Sequence, residues 1–308
     1  MTRPRSAPGG VTPSAGAVAS AVMAARRTPV CLTIATSDSG GGAGIQADLK
    51  AFAASGVQGT SAIVGLTAQS TVAVTRIEQI SPAMIVEQVR VVLEDFGVDA
   101  VKIGMVGTRE TIEAVATALD LLPDGTPVVL DPVMVAESGA RLLAADAHEA
   151  LVGRLLPRTT VVTPNLPEAL ALVGRAAADP IEITVLVEEL AALGPDAVLV
   201  TGGHRETAED VLRLEDGTVV RLPGARHPDG AAHGSGCTHS SILAAQLALG
   251  LPLAEAARIA RAVAGEAVRN GRRDVGAGAG PVDVLDLDAQ RARIAALAGD
   301  ALTAGAPR

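Results

Sequence analysis

The chain has 308 residues, 48% hydrophobic and 19% charged, enough to bury a substantial core in one large domain or two modest ones. A formal net charge of −9 excludes the dense basic surface that nucleic acid demands. Phe52 and Phe96 are the only aromatic residues of the Phe, Tyr and Trp kind, so no stacking platform for bases or sugars is available.

No apolar run is long enough to span a bilayer. Cys31 and Cys237 form neither a disulfide framework nor a zinc spacing, which points to a reducing cytoplasm. Lys50 and Lys102 are the only lysines among 25 basic residues, a bias that reads as GC-rich coding rather than function. Residues 1–28 are rich in Ala, Pro, Ser and Gly. They lack the Leu, Ile or Phe of a signal-peptide core and read as a mobile extension or a misassigned start.

From Pro29 onward, short β-branched runs alternate with longer helical patterns. Strands are predicted at Val30–Ala35, Ser61–Gly65, Ala100–Ile103, Val128–Leu130, Thr160–Thr163 and Ala197–Val200. Helical spacing occupies 43–55, 82–96, 109–121, 145–155, 167–174 and 183–193 between them. This alternation predicts an α/β fold, a mostly parallel sheet with helices on both faces. Around 209–222 the pattern alternates about Asp216-Gly217, a hairpin signal. Helices follow at 236–249 and 254–270, then a glycine-rich loop at 276–280. One domain is expected over 29–290, with a helix end and frayed tail over 291–308.

The segment from His233 to Leu249 carries the most chemistry. Gly234-Ser235-Gly236-Cys237 leads straight into a helical run, so free amides and the positive helix end can face an anion. Cys237 in that first turn is expected to ionise more easily than a free thiol. The alternative is a glycine turn before a core helix with a buried cysteine. Gly42-Ala43-Gly44-Ile45-Gln46-Ala47 matches a dinucleotide fingerprint in its strand–helix setting. No acidic residue ends the next strand, however, and no Gly-Lys pair exists for a P-loop. What remains is a glycine turn against a ligand, with Asp48 one helical turn on, either functional or a solvated helix residue.

Gln69 stands where a strand leaves the sheet, and its amide can match the edge of an amino-substituted nitrogen heterocycle or merely be solvated. Asp131 ends an apolar strand and can orient Mg²⁺ through water. Asn165 and Glu168 place an amide and a carboxylate near one mouth, as ligands for hydrated Mg²⁺ or as an N-cap with its capping box. Thr201-Gly202-Gly203-His204 follows another strand and forms a nucleotide shelf or an ordinary turn. His148 and His227 read as surface residues.

Together these features resemble the ribokinase-like superfamily, and in particular the bacterial hydroxymethylpyrimidine/phosphomethylpyrimidine kinases. The resemblance runs over about 30–285 through Leu32-Thr33-Ile34-Ala35, Asp38, Gly41 to Lys50, Thr67-Ala68-Gln69 and Lys102-Ile103-Gly104-Met105. It continues through Asp131-Pro132-Val133-Met134, Ser138-Gly139, Thr163 to Glu168, Gly202-Gly203-His204 and His233 to Thr238. It implies a ribokinase-like fold, ATP and Mg²⁺ as cofactors, and two successive phosphorylations of 4-amino-5-hydroxymethyl-2-methylpyrimidine for thiamine biosynthesis. It also implies a homodimer with no nucleic acid or membrane partner. Gln69 would hold the aminopyrimidine, Ala43, Met105 and Val133 would line its pocket, and Asp48 would lie near the reacting group. Glu168, with Asp131 and Asn165, would organise Mg²⁺, while Gly202 and Gly203 would meet the nucleotide. The 234–237 amides would hold the transferring phosphoryl group, and Cys237 would stand where most sugar kinases of the superfamily carry an aspartate base.

Three positions depart from the family pattern: Thr36 for glycine, Thr201 for lysine, and Ala231-Ala232 for Asn-Thr. They motivate two rivals, a pyridoxine or pyridoxal kinase on the same scaffold and a catalytically weak pyrimidine-binding paralogue.

Overall fold

A computed structural model describes residues 28–136, 139–140, 142–144, 146–176, 181–202 and 208–304, with side chains considered up to 297. The expected mobile extension (apart from Thr28), the end of the tail, and Ser138, Gly203 and His204 lie outside the described residues.

Among the described residues nine strands form one sheet: β1 (Val30–Asp38), β2 (Gln58–Gln69), β3 (Val74–Gln79), β4 (Ala100–Ile103), β5 (Val128–Leu130), β6 (Val161–Val162), β7 (Ala197–Val200), β8 (Asp210–Arg213) and β9 (Val219–Leu222). Their order is β3-β2-β1-β4-β5-β6-β7-β8-β9. Strands β2, β1, β4, β5, β6 and β7 run parallel, whereas β3, β8 and β9 add antiparallel edges.

The helices are α1 (Gly44–Ala54), α2 (Pro82–Asp95), α3 (Arg109–Leu119), α4 (Leu166–Leu172), α5 (Ile183–Ala191), α6 (Ser235–Ala248), α7 (Leu253–Arg269) and α8 (Leu287–Ala304). The central strands read as unbroken apolar runs because both faces are covered. In β5, Val128 and Leu130 pack with Ile112, Leu151 and Leu186, while Val129 packs oppositely with Leu243 and Ala245. The same alternation in β4 sends Val101 and Ile103 to the first layer and Ala100 to the second. Lys102 therefore enters the layer of α1 and α6.

Two elements differ from expectation. The helix predicted over 145–155 is a short turn, His148–Ala150, running into a π segment at Leu151–Leu155 and a 3₁₀ turn at Leu156–Arg158. Pro157 has no N–H to continue the ladder, and Gly153 favours no helix. Strand β3 was not legible, since none of its residues is buried and no apolar alternation marks it. It pairs antiparallel with the far end of β2, so β2 runs four residues beyond its predicted end, as far as Gln69.

Candidate active site

The carboxyl ends of the parallel strands open into a cleft with a cavity of about 430 Å³, the expected place for a ligand in an open α/β sheet. Gln69 at the end of β2, Ala43, Met105 and Val133 all line it, as do Asp131, Asn165, Glu168, Thr201 and residues 234–237. The thiol and the glutamine thus share one cavity.

Asp38 builds the glycine turn at the first wall. Its carboxylate accepts the amides of Gly40, Gly42 and Ala43 at 2.8, 3.0 and 2.9 Å. Burial raises the carboxyl's pKa, but His233 and these amides outweigh it and hold the group below the usual carboxylate range. His233 stands 3.4 Å away, and the turn packs against the head of α6. Gly234 caps that helix at φ 84°, and a Cβ there would lie 1.8 Å from the Gly42 carbonyl oxygen. Only glycine permits both the left-handed backbone and this approach. Ser235 donates its amide to the Ala232 carbonyl at 3.0 Å, which leaves Gly236 and Cys237, in the first turn, without intrahelical acceptors.

Behind the cleft lies a buried charge. Lys102 Nζ donates to Asp48 Oδ1 at 2.8 Å, Thr33 Oγ1 donates to Asp48 Oδ2 at 2.6 Å, and Ser241 Oγ donates to Oδ1 at 2.7 Å. Asp48 is neither a solvated helix residue nor part of the cleft lining: it is fully buried and its oxygens are occupied. It lies one layer behind the cleft, close enough to Cys237 for its charge to act on the thiol. Burial pushes Lys102 down, but Asp48, with Cys237 and Asp131, holds it above its usual range.

The expectation of a readily ionised Cys237 fails. Burial pushes its thiol up to about 12; Lys102 and the Gly44 amide favour the thiolate, but Asp48 and Asp131 oppose it. The helix end cannot outweigh desolvation beside two carboxylates.

On the opposite wall, Asp131 is 5% exposed and accepts Ser240 Oγ at 3.1 Å. Burial raises its pKa, with Lys102 and Ser240 only partly offsetting this. A Cβ at Gly236 would come 3.9 Å from Asp131 Oδ2, so this carboxylate borders the amide cradle. Glu168 forms the expected capping box with Asn165, accepting the Asn165 amide at 3.0 Å while Asn165 Oδ1 accepts the Glu168 amide at 2.9 Å. Its other oxygen faces the Met134 amide at 3.4 Å. Burial and then Asp131 push its carboxyl up to about 8.

At the far end, Thr201, Asp210, His227, His239 and Arg261 line the cleft together with Ala264 and Gly265 of α7. His227 is half-buried there, a surface residue that also lines the cleft. His148, also half-buried, meets the Ala171 carbonyl at 3.0 Å. Gly202 donates to Asp210. Thr36 ties β1 to the loop after β4 by donating to the Met105 carbonyl at 3.0 Å. Sequence reasoning gave no role to Asp38, Lys102, Asp210 or His239. Only Asp38 had a legible signal, an Asp leading a glycine run, which is Asx-turn chemistry.

A glycine turn after β1, a cleft at the strand ends and an amide cradle heading a late helix define a ribokinase-like small-molecule kinase. The phosphomethylpyrimidine kinase family model matches residues 38–283, and the chain belongs to that family. The hydroxymethylpyrimidine/phosphomethylpyrimidine kinase of Rhizobium meliloti is 49% identical over 258 residues, covering 83% of this chain and 96% of the relative. Its counterpart in Haemophilus influenzae is 45% identical, covering 82% and 95%. The crystal structure of phosphomethylpyrimidine kinase from Clostridium difficile is similar at a TM-score of 0.66 and 38% identity, covering 76% of this chain and 96% of that one. The Staphylococcus aureus pyridoxal kinase in complex with ADP is similar at 0.76 and 31%, covering 84% and 94%.

Proposed function

We propose that this chain uses ATP to phosphorylate 4-amino-5-hydroxymethyl-2-methylpyrimidine and then its monophosphate, the activity named for its relatives. The observation that carries this reading is the shared cleft: Gln69 at one end, the free amides of Gly236 and Cys237 at its middle. The Gln69 amide offers a donor and an acceptor to the aminopyrimidine edge. Its backbone is fixed by Ser39, whose hydroxyl donates to the Gln69 carbonyl at 2.8 Å and accepts its amide at 2.9 Å. The hydroxymethyl group would then face Cys237.

Phosphoryl transfer of this kind depends on positioning and charge stabilisation, with a loose transition state. Gly236 and Cys237 donate to the transferring phosphoryl oxygens. The attacking hydroxyl loses its proton late in such a transition state, to an oxygen of the transferred phosphoryl group, so a neutral Cys237 thiol suffices as its hydrogen-bond partner. In the second step the nucleophile is an ionised phosphate, which needs no base.

Glu168 and Asp131, with Asn165 beside them, fit a hydrated Mg²⁺ accompanying ATP: burial raises both carboxyl groups at the mouth, and a cation there would favour their charged forms. Bound there, Mg²⁺ would neutralise phosphate charge. Among the described residues no cluster of three His, Cys, Asp or Glu could hold a metal ion alone, which suits a metal that arrives with its nucleotide.

The reading includes a cytoplasmic setting, supported by two free cysteines, and pairing of two copies, which sedimentation velocity decides. Among the described residues no helix is long and apolar enough to cross a membrane. The pyridoxal kinase likeness favours a second substrate for the same cleft, compared by turnover of the two alcohols. ADP release coupled to the pyrimidine alcohol and to its monophosphate tests the main reading. Release with both is expected, and binding without release with either would overturn it.

A further inference from the structure

Asp210, the first residue of β8, joins three walls of the nucleotide end of the cleft. Its Oδ1 accepts the Gly202 amide at 2.7 Å, which holds the backbone two residues beyond the end of β7. Gly202 is held against the start of β8 by contact as well, since a Cβ there would lie 2.2 Å from the Glu209 carbonyl oxygen. Arg261 of α7 brings Nε to 3.5 Å from Asp210 Oδ1, and His239 of α6 brings Nε2 to 3.2 Å from Oδ2. The side chains of Asp210, His239 and Arg261 are 1%, 6% and 13% exposed. Burial raises the Asp210 pKa, but His239, Arg261 and the Gly202 amide outweigh it and hold the carboxyl below its usual range.

The junction is incomplete. Asp210 Oδ2, both ring nitrogens of His239 and Arg261 Nε have no hydrogen-bond partner among the described residues. The approaches are close enough, but the groups are out of line. A buried polar atom left so costs about 1–3 kcal/mol, and several in one place call for a state in which they are satisfied. All three side chains border the cleft beside Thr201 and the small residues Ala264 and Gly265.

We infer that Asp210 is a positioning residue for the nucleoside triphosphate: binding draws α6, α7 and Gly202 together, aligning His239 and Arg261 on its carboxylate. This rests on the reading of this end of the cleft as the nucleotide site. The consequence is a mechanical link to the chemistry. His239 lies two residues beyond Cys237 on α6, so the contact that closes over the nucleotide also sets the amides of Gly236 and Cys237.

The experiment compares ADP-induced thermal shifts and steady-state kinetics for the full chain and for Arg261→Met, Arg261→Lys and His239→Leu. Wild type gains melting temperature with ADP. Arg261→Met and His239→Leu lose most of that gain and raise KM for ATP about tenfold, as expected for losing a hydrogen bond to a charged group, while KM for the pyrimidine stays within about twofold. Arg261→Lys restores most of the shift, because a cation still reaches Asp210. No ADP shift in wild type would overturn the nucleotide reading itself. A full shift with unchanged KM for ATP in both variants would overturn this inference alone. So would KM values for both substrates rising together without rescue by lysine, which marks a purely structural contact.

Discussion

Lys102 Nζ stands 2.8 Å from Asp48 Oδ1, and neither side chain has any exposed surface. A fully buried ion pair gains little net stability over apolar packing, because both charges must leave water. Thr33 and Ser241 complete the hydrogen bonding of Asp48, so the charge on Lys102 is balanced without drawing on the cleft. That cation nevertheless interacts with Cys237 and Asp131, which both line the cleft.

Lys102→Met should therefore leave Asp48 charged and unpartnered by a cation, costing about 3–5 kcal/mol in urea unfolding. Adding Asp48→Leu should lose less than the sum of the two single changes, because the pair is coupled. Additive losses would show that the two side chains do not interact. Residual folded Lys102→Met should also lose turnover more than substrate affinity.

Cys237 in the free enzyme is predicted to be a poor nucleophile. With its thiol pushed up to about 12, almost none is thiolate at neutral pH. Iodoacetamide labelling should be far slower than for a free thiol at pH 7.5 and should climb steadily with pH beyond 9. Rapid labelling at neutral pH would contradict the charge balance around the site. Cys237→Ala should slow the alcohol step on the order of 10- to 100-fold and the phosphate step much less, since only the alcohol's hydroxyl is oriented by a hydrogen bond to the thiol.

Glu168 ties the stability of the free enzyme to pH. Its carboxyl moves from an ordinary value of 4.5 to about 8 on folding, so between these limits the folded state holds a proton that the unfolded chain has lost. The stabilising contribution is complete below pH 4.5 and falls away as pH climbs through 8, at no more than about 1.4 kcal/mol per pH unit. Glu168→Gln keeps the capping box and cannot ionise. Its melting temperature should exceed that of wild type at pH 8, with the difference shrinking toward pH 5, while turnover with Mg²⁺ and ATP falls. An equal offset at both pH values would show that Glu168 titrates normally.

The parallel core was legible because strands covered on both faces must be apolar throughout, as Val128–Leu130 and Ala197–Val200 are. Strand β3 was not, because an edge strand with Thr75, Arg76, Glu78 and Gln79 exposed carries no hydrophobic signature. Among the site residues, Gln69, Asp131, Asn165 and Glu168 could be placed at strand ends by local pattern alone. The Asp48–Lys102 pair spans 54 residues and the Asp38–His233 contact 195, and neither separation leaves a periodic trace. The thiol was misjudged for a related reason. A helix-terminus argument counts the local dipole and omits the carboxylates that the fold brings alongside.

Gly234 offers the sharpest test of how closely the two glycine-rich segments must meet. At φ 84° it already occupies backbone that costs other residues, and an added Cβ would sit 1.8 Å from the Gly42 carbonyl oxygen. Gly234→Ala must therefore push the head of α6 away from the turn that Asp38 organises. The amides of Gly236 and Cys237 move with the helix, while Gln69 sits on β2 and does not. The variant should stay folded by circular dichroism and bind the pyrimidine with an affinity within about threefold of wild type, yet lose on the order of 100-fold or more in turnover, as when oxyanion donors are displaced. Equal loss of binding and turnover would mean that the turn and the cradle support the pyrimidine together, and that α6 is not a separately placed electrostatic element.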